Sequence, residues 1–292
     1  MRRYARGIIV PMLILLAVAS DGNGQDTPTT PQEQYDALRK EYDRASSSAV
    51  PLTDAERLEF VGRVYKHRNA LAQKFLELAE KHPSDPIALD ALVQSVWQVN
   101  TTPWPVELVG EDTARAKAFE RIEHDYIKSD KLGPLCQRVS YGFCQEYESF
   151  LRAVLAQNPH RQVQATACLS LGQFLSGRLH RIELCQEQPA LAKEFEGLYG
   201  EAYFAQLQRQ NQESTNREIE AVLEQAMEKY GDVQLTAGNT IGALAKVKLH
   251  EIRFLRVGKE AQDIEGADQE GKQFKLSDYR GKAVLLDFWS QY

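Results

Sequence analysis

Apolar residues recur at three- and four-residue intervals through most of the chain, and that rhythm changes once. Across residues 32–256 the spacing is helical, with Pro, Gly and Asn marking the turns. The clearest run starts at Thr53, whose hydroxyl can cap a helix while Glu56 three residues on completes a capping box. Leu58, Phe60, Val61, Val64, Tyr65, Leu71, Phe75 and Leu78 then fall on one helical stripe. The stripe stops at "KHPSDP". There His82-Pro83 breaks the helix, and Asp85-Pro86 opens another, because proline at the first helical position gives up no hydrogen bond. The next helix is expected to bury Leu89, Leu92, Val93, Val96 and Trp97, so the two form an αα-hairpin.

A second hairpin lies in "ESFLRAVLAQNPHRQVQATACLSLGQFLSG". Phe150, Leu151, Val154 and Leu155 share one helix face, Asn158-Pro159 breaks the chain, and Val163, Ala167, Leu171 and Phe174 share a face of the next helix. Ala165, Ala167 and Ser170 are small enough to let helices approach closely. Two more helices are expected at about 215–230 (Ile219, Val222, Leu223, Ala226, Met227, stopped by Gly231) and 240–256 (Ile241, Ala245, Leu249, Ile252). Both hairpins resemble units of tetratricopeptide or HEAT arrays, but no fixed period recurs three times, so an irregular helical domain over 32–256 is expected.

After residue 256 the texture becomes that of turns and strands. Gly258, Gly266, Gly271 and Gly281 fall within 24 residues, with short apolar pieces between them. Val284, Leu285, Leu286 and Phe288 have the bias of a buried strand. The fold class expected is therefore mainly α, with the opening β-portion of an α/β domain over 257–292.

Composition narrows the function classes. With 43% hydrophobic and 26% charged residues, the 292-residue chain can bury a substantial core. The net charge is −6, and no Lys/Arg cluster follows the first six residues, so nucleic acid is not an expected partner. Residues 1–20 set Arg2, Arg3 and Arg6 before an apolar stretch ending in Ala17-Val18-Ala19, the plan of a secretory signal peptide. That stretch is short for a membrane span, so a membrane contact is expected only through an uncleaved signal. Cleavage would remove three arginines and no acid, taking −6 to −9. A polar linker over 21–31 would follow, and the mature protein is expected in the periplasm or cell envelope of a bacterium.

The segment 257–289 resembles the N-terminal portion of the redoxin branch of thioredoxin folds, the TlpA/ResA-like thiol-disulfide oxidoreductases and their AhpC/TSA antioxidant relatives. The resemblance rests on Val257-Gly258, Ala261, Asp268, Gly271-Lys272, Leu276-Ser277-Asp278, Arg280-Gly281-Lys282 and Phe288-Trp289. Gln262 stands where proline is usual and Ile264 where an aromatic is usual. In the thioredoxin-type branch Phe-Trp precedes a Cys-x-x-Cys at a helix N-terminus, where the helix dipole and unpaired N–H groups lower the thiol pKa. The resemblance thus implies that Phe288, Trp289 and Tyr292 flank an active site whose cysteine, or selenocysteine in its place, follows Tyr292. The 292 residues would then be an oxidoreductase cut before its catalytic residues, acting on protein thiols and disulfides without a cofactor. The alternatives are a non-catalytic helical interaction protein, whose partner would dock on the helical domain, and a peroxiredoxin-type antioxidant. Peroxiredoxins approach a single cysteine through a Pro-rich stretch, which fits less well.

The four cysteines supply no Cys-x-x-Cys. Cys136 and Cys144, separated by seven residues, are the pairing expected first if an exported location permits a disulfide, although spacing does not fix connectivity. Cys168 lies on an apolar stripe and reads as a small core hydrophobe, and Cys185 follows "RIEL". Zinc held by His160 or His180 with these cysteines lacks the usual close ligand pairs, so no metal is expected. His67, His82, His124 and His250 sit among charged residues and read as solvated.

Overall fold

The computed structural model describes residues 30–46, 53–96, 113–236, 238–256, 258–268 and 270–287. Trp97, Phe288, Trp289, Tyr292 and the expected signal segment lie outside them. The described residues are mostly helical and hold eleven α-helices with two small antiparallel strand pairs. The first helix, α1 (Pro31–Ser46), opens with a reciprocal cap. Thr30 Oγ1 accepts from the Glu33 N–H at 3.2 Å, and the Glu33 carboxylate accepts from the Thr30 N–H at 3.0 Å. The expected first hairpin is α2 (Asp54–Lys81) and α3 (Ile87–Val96). Asp85 starts α3 by accepting from the Ile87 N–H at 2.9 Å, and the Ser95 hydroxyl ties α3 to α2 by donating to the Ala72 carbonyl at 2.9 Å.

Helix α4 (Thr113–Asp125) packs on α2 and α3 and passes the core on to α6 (Gln145–Gln157). A short helix, α5 (Gly133–Val139), intervenes. Then comes α7 (Arg161–Glu187), the axis of the molecule, against which α5, α6, α10 (Gln212–Tyr230) and α11 (Ile241–Phe254) all pack. Sixteen of its 27 residues are buried, among them Cys168, Leu169, Ser170, Leu171 and Gly172 in succession, so it is covered on nearly every side. The expected break before it is a satisfied polar node. Asn158, 1% exposed, donates to the carbonyls of Ile127 (2.7 Å) and Ser129 (2.8 Å) and accepts from the His160 N–H (2.9 Å).

Two helix boundaries differ from expectation. Helix α10 starts at Gln212 instead of 215 because Asn211 caps it, accepting from the Ser214 N–H at 3.0 Å; Thr215 lies inside the first turn. Helix α11 starts after Thr240, which caps it by accepting from the Ala243 N–H at 3.2 Å, and ends at Phe254. Between the two runs an unexpected ribbon of β1 (Gln234–Thr236) and β2 (Asn239–Thr240). Gly231, which follows α10, has φ −58° and so is not there for a left-handed turn; a Cβ on it would run into the Met227 carbonyl oxygen, and a Cβ on Gly242 would lie 2.9 Å from both the Cα and the carbonyl oxygen of Gly231. Short helices α8 (Ala192–Tyr199) and α9 (Glu201–Gln208) close a small second core of Phe143, Ile182, Cys185, Tyr199, Phe204 and Leu207.

Beyond α11 the chain forms a hairpin of β3 (Glu265–Ala267) and β4 (Gln273–Lys275), with Gly266 opposite Phe274, followed by a 3-10 turn (Leu276–Tyr279). The strand expected at 284–288 is not formed within the described residues. Residues 283–287 have no regular structure, and Val284, Leu285 and Leu286 are exposed. A strand needs a neighbour for its backbone, and none lies beside this one among the described residues.

Candidate functional site

The residues that carry the redoxin resemblance are organised by backbone geometry and short polar clamps. Gly258, Gly271 and Gly281 have φ of +82°, +80° and +85°, and a Cβ on any of them would meet nothing within 4 Å. Glycine is needed there for conformation, not for space. Asp268 closes the β3–β4 turn, its carboxylate accepting from the N–H groups of Glu270 (3.1 Å) and Lys272 (2.8 Å). Asp263 accepts from the Ser277 N–H at 2.8 Å and hydroxyl at 2.7 Å, which holds its carboxyl below the usual range. Asp278 accepts from the Lys275 N–H at 2.9 Å. On the other side, Ile264, Phe274, Leu276, Tyr279, Val284 and Leu286 line a shallow apolar hollow of about 160 Å³ open to solvent. Gly266 belongs to this face: a Cβ there would stand 3.2 Å from the Phe274 ring, which lies across the strand pair.

Burial holds three of the four cysteines, Cys136, Cys168 and Cys185, as thiols. All four are unbridged in the structure, Cys136 and Cys144 among them. Cys136, wholly buried in α5, has its thiol pushed up to about 12 by burial. Cys144 stands half-buried ahead of α6, where it meets the Tyr147 phenol. Burial pushes Cys168 up to about 12 as well; its thiol donates to the Val222 carbonyl at 3.4 Å. Burial also raises Cys185. Such thiols stay protonated at neutral pH. Among the described residues no group of three or more His, Cys, Asp or Glu side chains is placed to hold a metal ion.

Two polar constellations in the helical body were not read from the sequence. The first surrounds Arg178, which is 3% exposed on α7. It donates to the Glu148 carboxylate and to the Tyr203 hydroxyl at 2.8 Å. Arg152 donates to the same carboxylate at 2.7 Å and reaches Glu218 on α10 at 2.5 Å. The network therefore ties α6, α7, α9 and α10 together. Beside it, the Arg181 guanidinium lies 4.2 Å above the Phe143 ring and donates to the Tyr199 hydroxyl at 3.0 Å. Every ionic group in this network has a partner, so it can brace helices but offers no free acid or base. Its signal was present in the sequence: Arg178 continues the apolar stripe of Leu171 and Phe174, where a cation must find a buried partner.

The second is a groove of about 680 Å³ between α7, α10 and the end of α11, lined by Ser176, His180, Glu183, Asn216, Lys248 and Arg256 among others. Its walls carry both signs of charge, Arg256 among them. Comparison with family models, curated proteins and solved structures finds no match to this chain.

Proposed function

We propose that the protein is an exported thiol-disulfide oxidoreductase of the redoxin type. In this reading the helical body is an accessory module, residues 258–287 open a thioredoxin-like domain, and the attacking thiol or selenol follows Tyr292. One observation carries it. The hairpin segment is internally fastened on its polar side, yet it turns Ile264, Phe274, Leu276, Tyr279, Val284 and Leu286 outward as one apolar face. A face of that kind is half of a core, and in a thioredoxin-like domain the later strands and helices would cover it.

The test has two parts. The in-frame codons after the one for Tyr292 should encode Cys-x-x-Cys at a helix start, or UGA in place of the first cysteine codon. The product of that whole frame should then reduce insulin disulfides. A frame that continues without either residue, or a whole-frame product that leaves insulin oxidised, would refute the proposal.

A further inference from the structure

Arg256 stands just before the segment that resembles redoxins, and its side chain turns back into the groove of the helical body. Nη1 donates to Asn216 Oδ1 on α10 at 2.7 Å, Nη2 donates to Ser176 Oγ on α7 at 3.2 Å, and a Glu183 oxygen stands 3.9 Å from Nη1. Ser176 is 2% exposed, so the accepting end is fixed within packed helices. The backbone of the same residue faces the other way. Helix α11 has already closed, with the Leu255 N–H on the Glu251 carbonyl at 3.0 Å. The Arg256 carbonyl accepts instead from the Lys259 N–H at 3.0 Å, across Gly258 at φ +82°. Only glycine enters that backbone region freely.

We infer that Arg256 is the positioning residue of the joint between the helical body and the segment 258–287, holding that segment in one orientation instead of on a free tether. Its guanidinium is anchored to two helices while its carbonyl closes the turn that starts the segment, so one residue fixes both sides of the joint. Acceptors on two different helices call for a planar fork of donors. Lysine carries the same charge but donates from a single nitrogen and lacks the two-nitrogen fork that reaches both. The inference goes beyond the redox reading and stands without it, since it rests on contacts made before residue 260.

The experiment compares the intact 292-residue protein with R256A, R256K and N216L. In the wild type, ¹⁵N relaxation should show the amides of Gly266, Gly271 and Phe274 tumbling with those of Leu151 and Leu175. In all three variants the first group should relax as a separate, faster unit. Cleavage after Lys259 by a lysine-specific protease should accelerate about tenfold, the change expected when a hydrogen bond to a charged group is lost. A charge effect alone would leave R256K like the wild type, whereas loss of the fork releases the joint there too. Wild-type relaxation and cleavage in R256A and N216L would overturn the inference, and so would a wild-type segment that already moves independently. If R256A fails to fold by circular dichroism, N216L gives the answer, because it leaves Arg256 in place and alters only one half-exposed position on α10.

Discussion

Arg178 shows how far a single residue can depart from the pattern around it. It occupies a buried stripe position yet carries a charge, and it is tolerated because Glu148 and Tyr203 take its donors. Removing one partner of a buried pair strands the other, so R178M or E148L alone should lower unfolding free energy by about 3–5 kcal/mol, while the R178M/E148L double variant should cost far less than the two together. Urea titrations of the two single variants and the double variant provide the check, as a double-mutant cycle. The same pair sets a pH dependence. Burial pushes the Glu148 carboxyl up, but the Arg178 charge and the hydrogen bonds from Arg152 and Arg178 outweigh it, leaving the carboxyl below its usual range. A depressed carboxylate stabilises fully above its unfolded value of about 4.3, and that contribution is lost as pH falls through the folded value. Melting temperature should therefore fall below about pH 4, and fall less steeply in R178M/E148L. Burial makes an independent prediction for the thiols. Cys136 and Cys168, both at about 12, should react with a thiol-specific dye only as fast as the protein opens, so their labelling rates should follow denaturant as unfolding does. Rapid labelling of either in the native protein would contradict the packing.

At the scale of elements, the contact between α7 and α10 depends on an absent side chain. A Cβ on Gly172 would stand 2.6 Å from Leu223 Cδ2, a flexible side chain that can move away. G172A should therefore cost about 1–3 kcal/mol, and L223A, which empties core space, should cost less in the G172A background than on its own, because the new methyl fills part of the cavity. The approach of Gly242 to Gly231 is different, because the obstacle is backbone. No side-chain truncation nearby should offset G242A, and thermal denaturation of G172A with and without L223A, and of G242A with and without M227A, separates the cases. Residues Ala165, Ala167 and Ser170 announced close helix approach on α7, and all three are buried. Gly172 went unnoticed, since a glycine inside a helical pattern looks like a local weakness until the partner helix is in place.

At the scale of the whole molecule, neither hydrophobic core contains a residue beyond Ile252. A protein ending at Arg256 should therefore unfold cooperatively at nearly the denaturant midpoint of the 292-residue chain; a non-cooperative transition would count against the boundary near residue 256. The sequence by itself determined the helical class of the described residues between 32 and 256, the two αα-hairpins and the change of texture after 256, because periodicity, caps and proline breaks act within a few residues of chain. It also marked Gly258, Gly271 and Gly281, whose left-handed conformations are local requirements. The extra turn of α10 was legible too, had Asn211 been read as its cap. Tertiary structure alone decided which partner completes each buried polar group: Glu148 for Arg178 across 30 positions, Asn216 and Ser176 for Arg256 across 40 and 80. Such pairs leave no periodic trace, since their energy comes from burial and geometry that exist only once α6, α7, α10 and α11 are packed. The same holds for residues 284–286, whose apolar pattern announces a strand but whose backbone can become one only beside a neighbour.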